Sequence, residues 1–317
     1  MLSRRLVLGA LGSIALLNPA NAQAPMKVIY PFPAGGAGDS VARIFADQLQ
    51  KALGRPVIVE NRTGAGGRVG VVAAKDAPAD GSVLLFTATG QLAIQPHVTQ
   101  KPGYDPFIDF RPIAEIATSE LALAVSTELQ IGSVKELIAW LKSHPDRATF
   151  ASAGVGTSGY FAGTEFARAQ GVELRHVAYR GATAALPDVV AGRVPVVVAI
   201  TAELLPHHEA KGIRILATSG VERSGFLADV PTFRETNVDL AVTNGYSFFV
   251  PASTPTAVAE HLEREIASAS QSAEVQGKLA ALKLRAAGQS AADLGRSLRE
   301  QSDLWRGIVQ RSGFKPE

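Results

Sequence analysis

Two glycine-rich turns, Gly35-Gly36-Ala37-Gly38 and Gly156-Thr157-Ser158, each stand directly before a stretch with helical apolar spacing. That placement suits the binding of an anion. The first turn of a helix exposes unpaired N–H groups and carries partial positive charge, and glycine lets the main chain approach a guest because no side chain intervenes. Thr157 and Ser158 add hydroxyl donors, and Thr87 offers another at the end of an apolar run. Two such helix ends facing one cleft would hold a carboxylate without any lysine or arginine. Each turn also has an ordinary use in capping a helix, but repetition at strand ends favours the binding use. Asp39 follows the first turn. It is expected as the N-cap of the next helix rather than as a catalytic acid, because an inward carboxylate would repel an anionic guest.

Other chemistries find less support. The run Gly154-Val155-Gly156-Thr157-Ser158-Gly159 formally matches the dinucleotide fingerprint, which gives a rival reading: an exported NADP-dependent oxidoreductase in which Arg180 meets the 2′-phosphate. Against it, Tyr179 and Arg180 occupy the place where an acidic residue should hold the ribose. The histidines (97, 144, 176, 207, 208 and 261) never share a helical face at metal-site spacing. No Gly-x-Ser-x-Gly elbow supplies a nucleophile, and the chain has no cysteine. No catalytic residue, metal or cofactor is therefore expected. The 31 basic and 29 acidic residues are scattered rather than gathered into a stripe, so nucleic acid is not an expected partner.

The elements that must position these turns repeat a grammar of strand, glycine-rich turn and helix. Lys27 to Tyr30 reads as a strand, Ser40 to Leu53 as a helix stopped by Gly54 and Pro56, and Val57 to Val59 as the next strand. After Thr63 to Gly67 come a helix from Val69 to Ala74 and a strand from Val83 to Thr87, ending in Ala88-Thr89-Gly90. The middle of the chain repeats the pattern: strand Ala148 to Ala151, turn Gly154 to Ser158, helix Tyr160 to Ala169, strand Val177 to Tyr179, then Arg180-Gly181-Ala182. Two such units predict two α/β lobes with mostly parallel sheets, and ligands in such sheets sit beyond the carboxyl ends of the strands. The apolar runs Leu121 to Val125 and Tyr246 to Val250 are candidate crossovers of a hinge. They divide the chain into a first lobe of residues 25–122 and 246–317 and a second of residues 123–245, with C-terminal helices near Thr256 to Leu282 and Ala291 to Val309 returning to the first lobe.

Residues 1–22 read as a signal peptide. Arg4 and Arg5 precede an apolar run from Leu6 to Leu17, and Ala20-Asn21-Ala22 offers a cleavage site. Ser3-Arg4-Arg5-Leu6-Val7-Leu8 also matches a twin-arginine signal. No later apolar run reaches the ~20 residues that span a bilayer, so a periplasmic location is expected.

Read in order, these residues resemble the Bug or TctC-like substrate-binding receptors of tripartite tricarboxylate transporters over essentially the whole mature chain. The resemblance is carried by Pro31-Phe32-Pro33-Ala34-Gly35-Gly36-Ala37-Gly38-Asp39, Val57-Ile58-Val59-Glu60-Asn61-Arg62, Ala79-Asp80-Gly81 and Tyr104-Asp105-Pro106. It continues through Phe150-Ala151-Ser152-Ala153-Gly154-Val155-Gly156-Thr157-Ser158, Tyr179-Arg180-Gly181, Asp229-Val230-Pro231-Thr232 and Pro251-Ala252-Ser253-Thr254-Pro255. The resemblance implies a two-lobed, periplasmic-binding-protein-like (type II) α/β fold with a two-strand hinge. It implies a monomeric receptor, not an enzyme, that closes on a small carboxylate and delivers it to integral membrane transporter subunits; a receptor serving a membrane sensor is the alternative.

The implied contacts in the first lobe are Phe32, the Gly35 to Gly38 loop, Thr87, Ala88 and Gly90, with Tyr246 at the hinge. In the second lobe they are Ser152, Gly156, Thr157, Ser158, Tyr160, Tyr179 and Gly181. Where many members carry aspartates, this chain has Pro195 and Ala199. Less then remains to bind an ammonium, and the expected guest is a carboxylate without an amino group, an aromatic one resting near Phe32, Tyr160, Tyr179 or Tyr246.

Overall fold

Short apolar runs closed by glycine or proline fold as buried strands, and the amphipathic stretches between them become the helices that cover those strands. The computed structural model describes residues 24–316; the expected leader, residues 1–22, lies outside the described residues. The first unit runs β1 (Met26–Tyr30), α1 (Ala37–Leu53), β2 (Val57–Asn61), α2 (Arg68–Lys75), β3 (Val83–Ala88) and α3 (Thr89–Val98). After β4 (Phe110–Ser126) and α4 (Val134–Ser143), the second unit runs β5 (Thr149–Ser152), α5 (Ser158–Gln170), β6 (Arg175–Ala178), α6 (Ala182–Val190), β7 (Val196–Ile200) and α7 (Thr201–Glu209). The chain closes with β8 (Ile213–Thr218), β9 (Thr243–Pro251), α8 (Thr256–Gln271), α9 (Ala273–Ala281), β10 (Arg285–Gln289) and α10 (Ala291–Arg311).

The two units share one topology. β1 lies parallel between β2 and β3, with Val28 opposite both Val59 and Leu84. β5 lies parallel between β6 and β7, with Ala151 opposite Val177 and Val197. This is the two-lobed, periplasmic-binding-protein-like α/β fold that the repeated grammar and the family resemblance pointed to.

One long strand joins the lobes. From Phe110 to Glu120, β4 pairs antiparallel with β9; from Leu121 onward it pairs with β7 and β8. Leu121 to Val125 is wholly buried because both edges of that stretch are paired and both faces are covered. Tyr246 to Val250 lies in β9, which pairs with β3 as well as β4. The change of partner at Glu120/Leu121 supports, as our proposal, the lobe division at the two apolar runs.

Three local readings change. Helix α1 begins at Ala37, three residues earlier than Ser40, so the glycine turn itself forms the first helical turn and Gly36 is the N-cap. Asp39 is therefore not the cap; its carboxylate reaches back to accept from the Gly35 N–H (3.1 Å). The expected helix from Thr256 to Leu282 is two helices, broken at Ser272, whose extended backbone and Oγ, accepting from the Val275 N–H, cap α9. Strand β10, which carries no apolar run, pairs with β4 at Arg285↔Thr118. α10 buries Leu294, Leu298, Trp305 and Ile308, and packs on α3 and β4.

A carboxyl group is buried where the hinge strands meet. Glu115 of β4 is 4% exposed and accepts a hydrogen bond from Thr89 Oγ1 at 3.2 Å. Burial pushes its pKa up to about 7, and the hydroxyls of Thr89 and Ser247 pull the other way. A folded-state pKa above the ordinary carboxyl value means that the proton is held more tightly when folded. The stabilisation is complete below pH 4.5, the unshifted value, and is lost as pH rises through about 7. Denaturant titrations should show wild-type stability falling across that window, with Glu115 contributing ~3 kcal/mol of the change. Glu115→Gln should remove that share of the slope, and an unaltered slope would show that Glu115 is already ionised near pH 5.

Candidate functional site

Between the lobes lies a cavity onto which five helices open. The N-cap residues of α1, α3, α5, α6 and α7 are Gly36, Ala88, Thr157, Gly181 and Ile200, and all five line it. The cause is topological: each of these helices follows the carboxyl end of a parallel strand, and those strand ends face each other across the hinge. Each helix start brings roughly half a positive charge and unpaired N–H groups. Among the described residues no lysine or arginine lines the cavity, and its one carboxyl group is Glu203. The rest is apolar, from Phe32, Pro33, Leu121, Val198 and Ile200 among others.

The lobes touch around this cavity. Gly181 has φ +96°, a left-handed conformation that favours glycine, and a Cβ there would stand 3.4 Å from Pro33 of the other lobe. On the far edge a Cβ at Gly156 would stand 3.3 Å from Val98. At the mouth, Lys283 Nζ lies 3.1 Å from Glu209 Oε1.

Of the residues expected from sequence, Phe32, Gly36, Ala88, Thr157, Ser158, Gly181 and Tyr246 line the cavity. Gly35 and Ala37 lie in the adjoining groove at its mouth, and Gly38 sits behind, against the Tyr30 hydroxyl and the Tyr246 ring. Gly90 packs between Asn244 and Ser158. The others point elsewhere. Thr87 is fully buried within β3. Gly156 belongs to a separate groove with Val98 and Phe314. Tyr160 packs edge-on against His176, Phe161 and Phe314, because it occupies the core-facing side of α5. The Tyr179 hydroxyl donates to Asp188 Oδ2 at 2.6 Å.

Ser152 stands 2.8 Å from His176 Nε2, a spacing that resembles a nucleophile and base. Its hydroxyl donates to the Gly154 carbonyl, however, it is fully buried, and burial lowers His176 to about 4.

The polar groups facing the cavity divide into committed and free. Thr157 Oγ1 donates to the Gly154 carbonyl (2.7 Å) and accepts from the Tyr160 N–H (3.4 Å), so its proton serves its own loop. Ser158 Oγ accepts from Asn244 Nδ2 (3.4 Å), which leaves its proton for a guest. Gln91 Nε2 and the Tyr246 hydroxyl are buried without a partner among the described residues. Burial pushes Glu203 up to about 7. Burial, reinforced by the nearby Glu203 carboxyl, holds Tyr30 and Tyr246 above their ordinary range. Burial raises Asp39 too, but bonds from Arg43, Asn61 and the Gly35 N–H outweigh it and hold this carboxylate below its ordinary value.

Tyr30, Gln91, Thr183 and Glu203 line the cavity without having been expected there. A signal for two of them existed. Ala88-Thr89-Gly90-Gln91 and Ile200-Thr201-Ala202-Glu203 are equivalent strand-to-helix turns, and Gln91 and Glu203 are each the third helical residue, on opposite walls. Pro195 and Ala199 stand where many members carry aspartates, and the carboxyl group that does line the cavity is that of Glu203.

Comparison with known proteins agrees with this geometry. Residues 41–314 match the tripartite tricarboxylate transporter family receptor. A Pseudomonas sp. protein encoded in the tcbD-tcbE intergenic region is 32% identical over 287 residues, 90% of this chain and 85% of that one. The solved structure of the periplasmic binding protein BugD superposes with a TM-score of 0.87 at 26% identity, covering 92% of this chain and 99% of that one. An R. palustris protein solved with adipate gives a TM-score of 0.87 at 27% identity, covering 92% and 98%. The fold, the cavity at the strand ends and these matches together place the chain in the family of tripartite tricarboxylate transporter receptors.

Proposed function

We propose that this chain is an exported periplasmic receptor that captures a small carboxylate between its lobes and delivers it to the membrane subunits of a tripartite tricarboxylate-type transporter. The observation that carries this reading is the convergence of five helix starts on a cavity with no basic side chain. Such a field stabilises an anion while leaving it free of a tight ion pair, which suits a molecule that must also release its cargo. The adipate in the R. palustris relative supports the same class of guest. The leader-like residues 1–22 support export.

The dinucleotide reading gains nothing from the geometry. Thr157 is committed to its own loop, Tyr179 to Asp188, and the exposed Arg180 does not line the cavity.

Titration calorimetry with a panel of small mono- and dicarboxylates, adipate included, should yield saturable one-site binding with the ligand recovered unchanged. Binding of NADP alone would overturn the receptor reading. Ser158→Ala removes a donor to a charged acceptor and should weaken binding by ~1–3 kcal/mol. Thr157→Ala should instead cost about 1 kcal/mol of folding stability through loss of the cap. Equal affinities for wild type and Ser158→Ala would remove this hydroxyl from the site. Gly159 has no room for a side chain, since a Cβ would stand 2.4 Å from the Val198 carbonyl oxygen, a backbone atom that cannot step aside. Gly159→Ala should therefore destabilise the fold by ~1–3 kcal/mol, read from the denaturation midpoint; an unchanged midpoint would mean that α5 moves freely against β7.

A further inference from the structure

We infer that Glu203 is the specificity-determining acceptor of the cavity, selecting carboxylates that also carry an ammonium group. The inference rests on the receptor reading above and adds to it the far end of the guest. Besides the Tyr30 and Thr183 hydroxyls, three polar groups face the cavity without a hydrogen-bond partner among the described residues, and they differ in kind. Gln91 Nε2 can only donate and the Tyr246 hydroxyl can donate, both being buried and unbonded among the described residues. Glu203 enters from the opposite wall as an acceptor with no hydrogen bond or ion pair to any described residue, and its Oε1 is 3.4 Å from where a Cβ on Gly36 would be.

Glu203 is only partly exposed, a carboxyl group held away from water without a cation is costly, and no lysine or arginine among the described residues lines this cavity. A second negative charge placed beside it would be costlier still. A guest that brings its own ammonium neutralises Glu203 while its carboxylate takes the helix starts and the Gln91 amide, so the filled cavity is balanced in charge. The equivalence of Gln91 and Glu203 in the two half-units gives this division a simple origin: one position holds a donor, the other an acceptor.

Other titratable groups near Glu203 do not take over this role. Tyr30 of β1 and Tyr246 of β9 are held protonated by burial. Asp39 of α1 is bound to Arg43 and Asn61. Lys283 pairs with Glu209 at the mouth, beside His207.

The test is calorimetry with paired probes: alanine against propanoate, leucine against 4-methylpentanoate, 4-aminobutanoate against butanoate and 6-aminohexanoate against hexanoate. Wild type should prefer the amino member of at least one pair by about 10-fold or more, and Glu203→Gln should reduce that preference to about 2-fold or less. A second reading needs no variant. Affinity for the amino ligand should rise between about pH 5.5 and 8 as Glu203 loses its proton, whereas a plain acid bound beside a protonated Glu203 would bind more weakly over the same interval. A His207→Gln control separates the histidine at the mouth from Glu203. If plain carboxylates bind as tightly as their amino partners, or if Glu203→Gln keeps the preference, the inference falls and the receptor reading stands. If no member of either series, nor adipate, binds, the receptor reading falls with it.

Discussion

The antiparallel ladder between β4 and β9 fixes everything that the cavity depends on. Nine residues of β4 pair with β9 before the strand changes partners and becomes part of the second sheet. A strand shared by two sheets holds their parallel strands at a set mutual angle, and with them the helix starts at the strand ends. β4 is buried on both faces of this ladder from Ile113 to Ala117, so its hydrogen bonds cannot be exchanged for water without exposing apolar surface. The one place where β4 exchanges partners is Glu120/Leu121, the boundary between the two ladders.

Within that frame the chemistry of the cavity comes from main chain more than from side chains. Backbone N–H groups are fixed by the helices that carry them, so they need no reorganisation when an anion arrives. A lysine would add attraction, but at the cost of side-chain entropy and of a charge left unpaired after release. The apolar lining sharpens the effect, because a poorly hydrated wall leaves the helix dipoles unscreened. The same dryness explains why Glu203 and the two tyrosines hold their protons more tightly than they would in water.

Much of this was legible in the sequence, and the parts that were not share a cause. Apolar runs marked seven of the ten described strands, all but β7, β8 and β10, and the glycine turns marked the first- and second-lobe helix starts, because these are local signals. Strand β10, Arg285–Gln289, has no apolar run and exists only because the edge of β4 needs a partner. Tyr160 and Tyr179 have the right residue type near the right loop, yet one turns to His176 and Phe314 and the other to Asp188. Side-chain direction is settled by neighbours distant in sequence. Gln91 and Glu203 sit in plain view after two strand ends, but their equivalence emerges only when the two units are superposed in register.

The direct contacts between the lobes at the rim of the cavity are modest, and this bears on the proposed capture. Pro33 against Gly181 and Val98 against Gly156 are small apolar touches, and the Lys283–Glu209 pair is exposed, with side chains 36% and 56% accessible. An ion pair so open to water is worth little. These rim contacts add little to closure, and under the receptor reading proposed above a guest bonding Gln91 and the α1 start from one side and Ser158 and the α6 start from the other would supply free energy for it. The larger apolar contact between the lobes lies away from the rim, where Phe161 of α5 meets Trp305 and Phe314, so the weak contacts are those that border the cavity. Weak contacts at the rim and contacts through a guest would be two sides of one requirement, that closing should report occupancy.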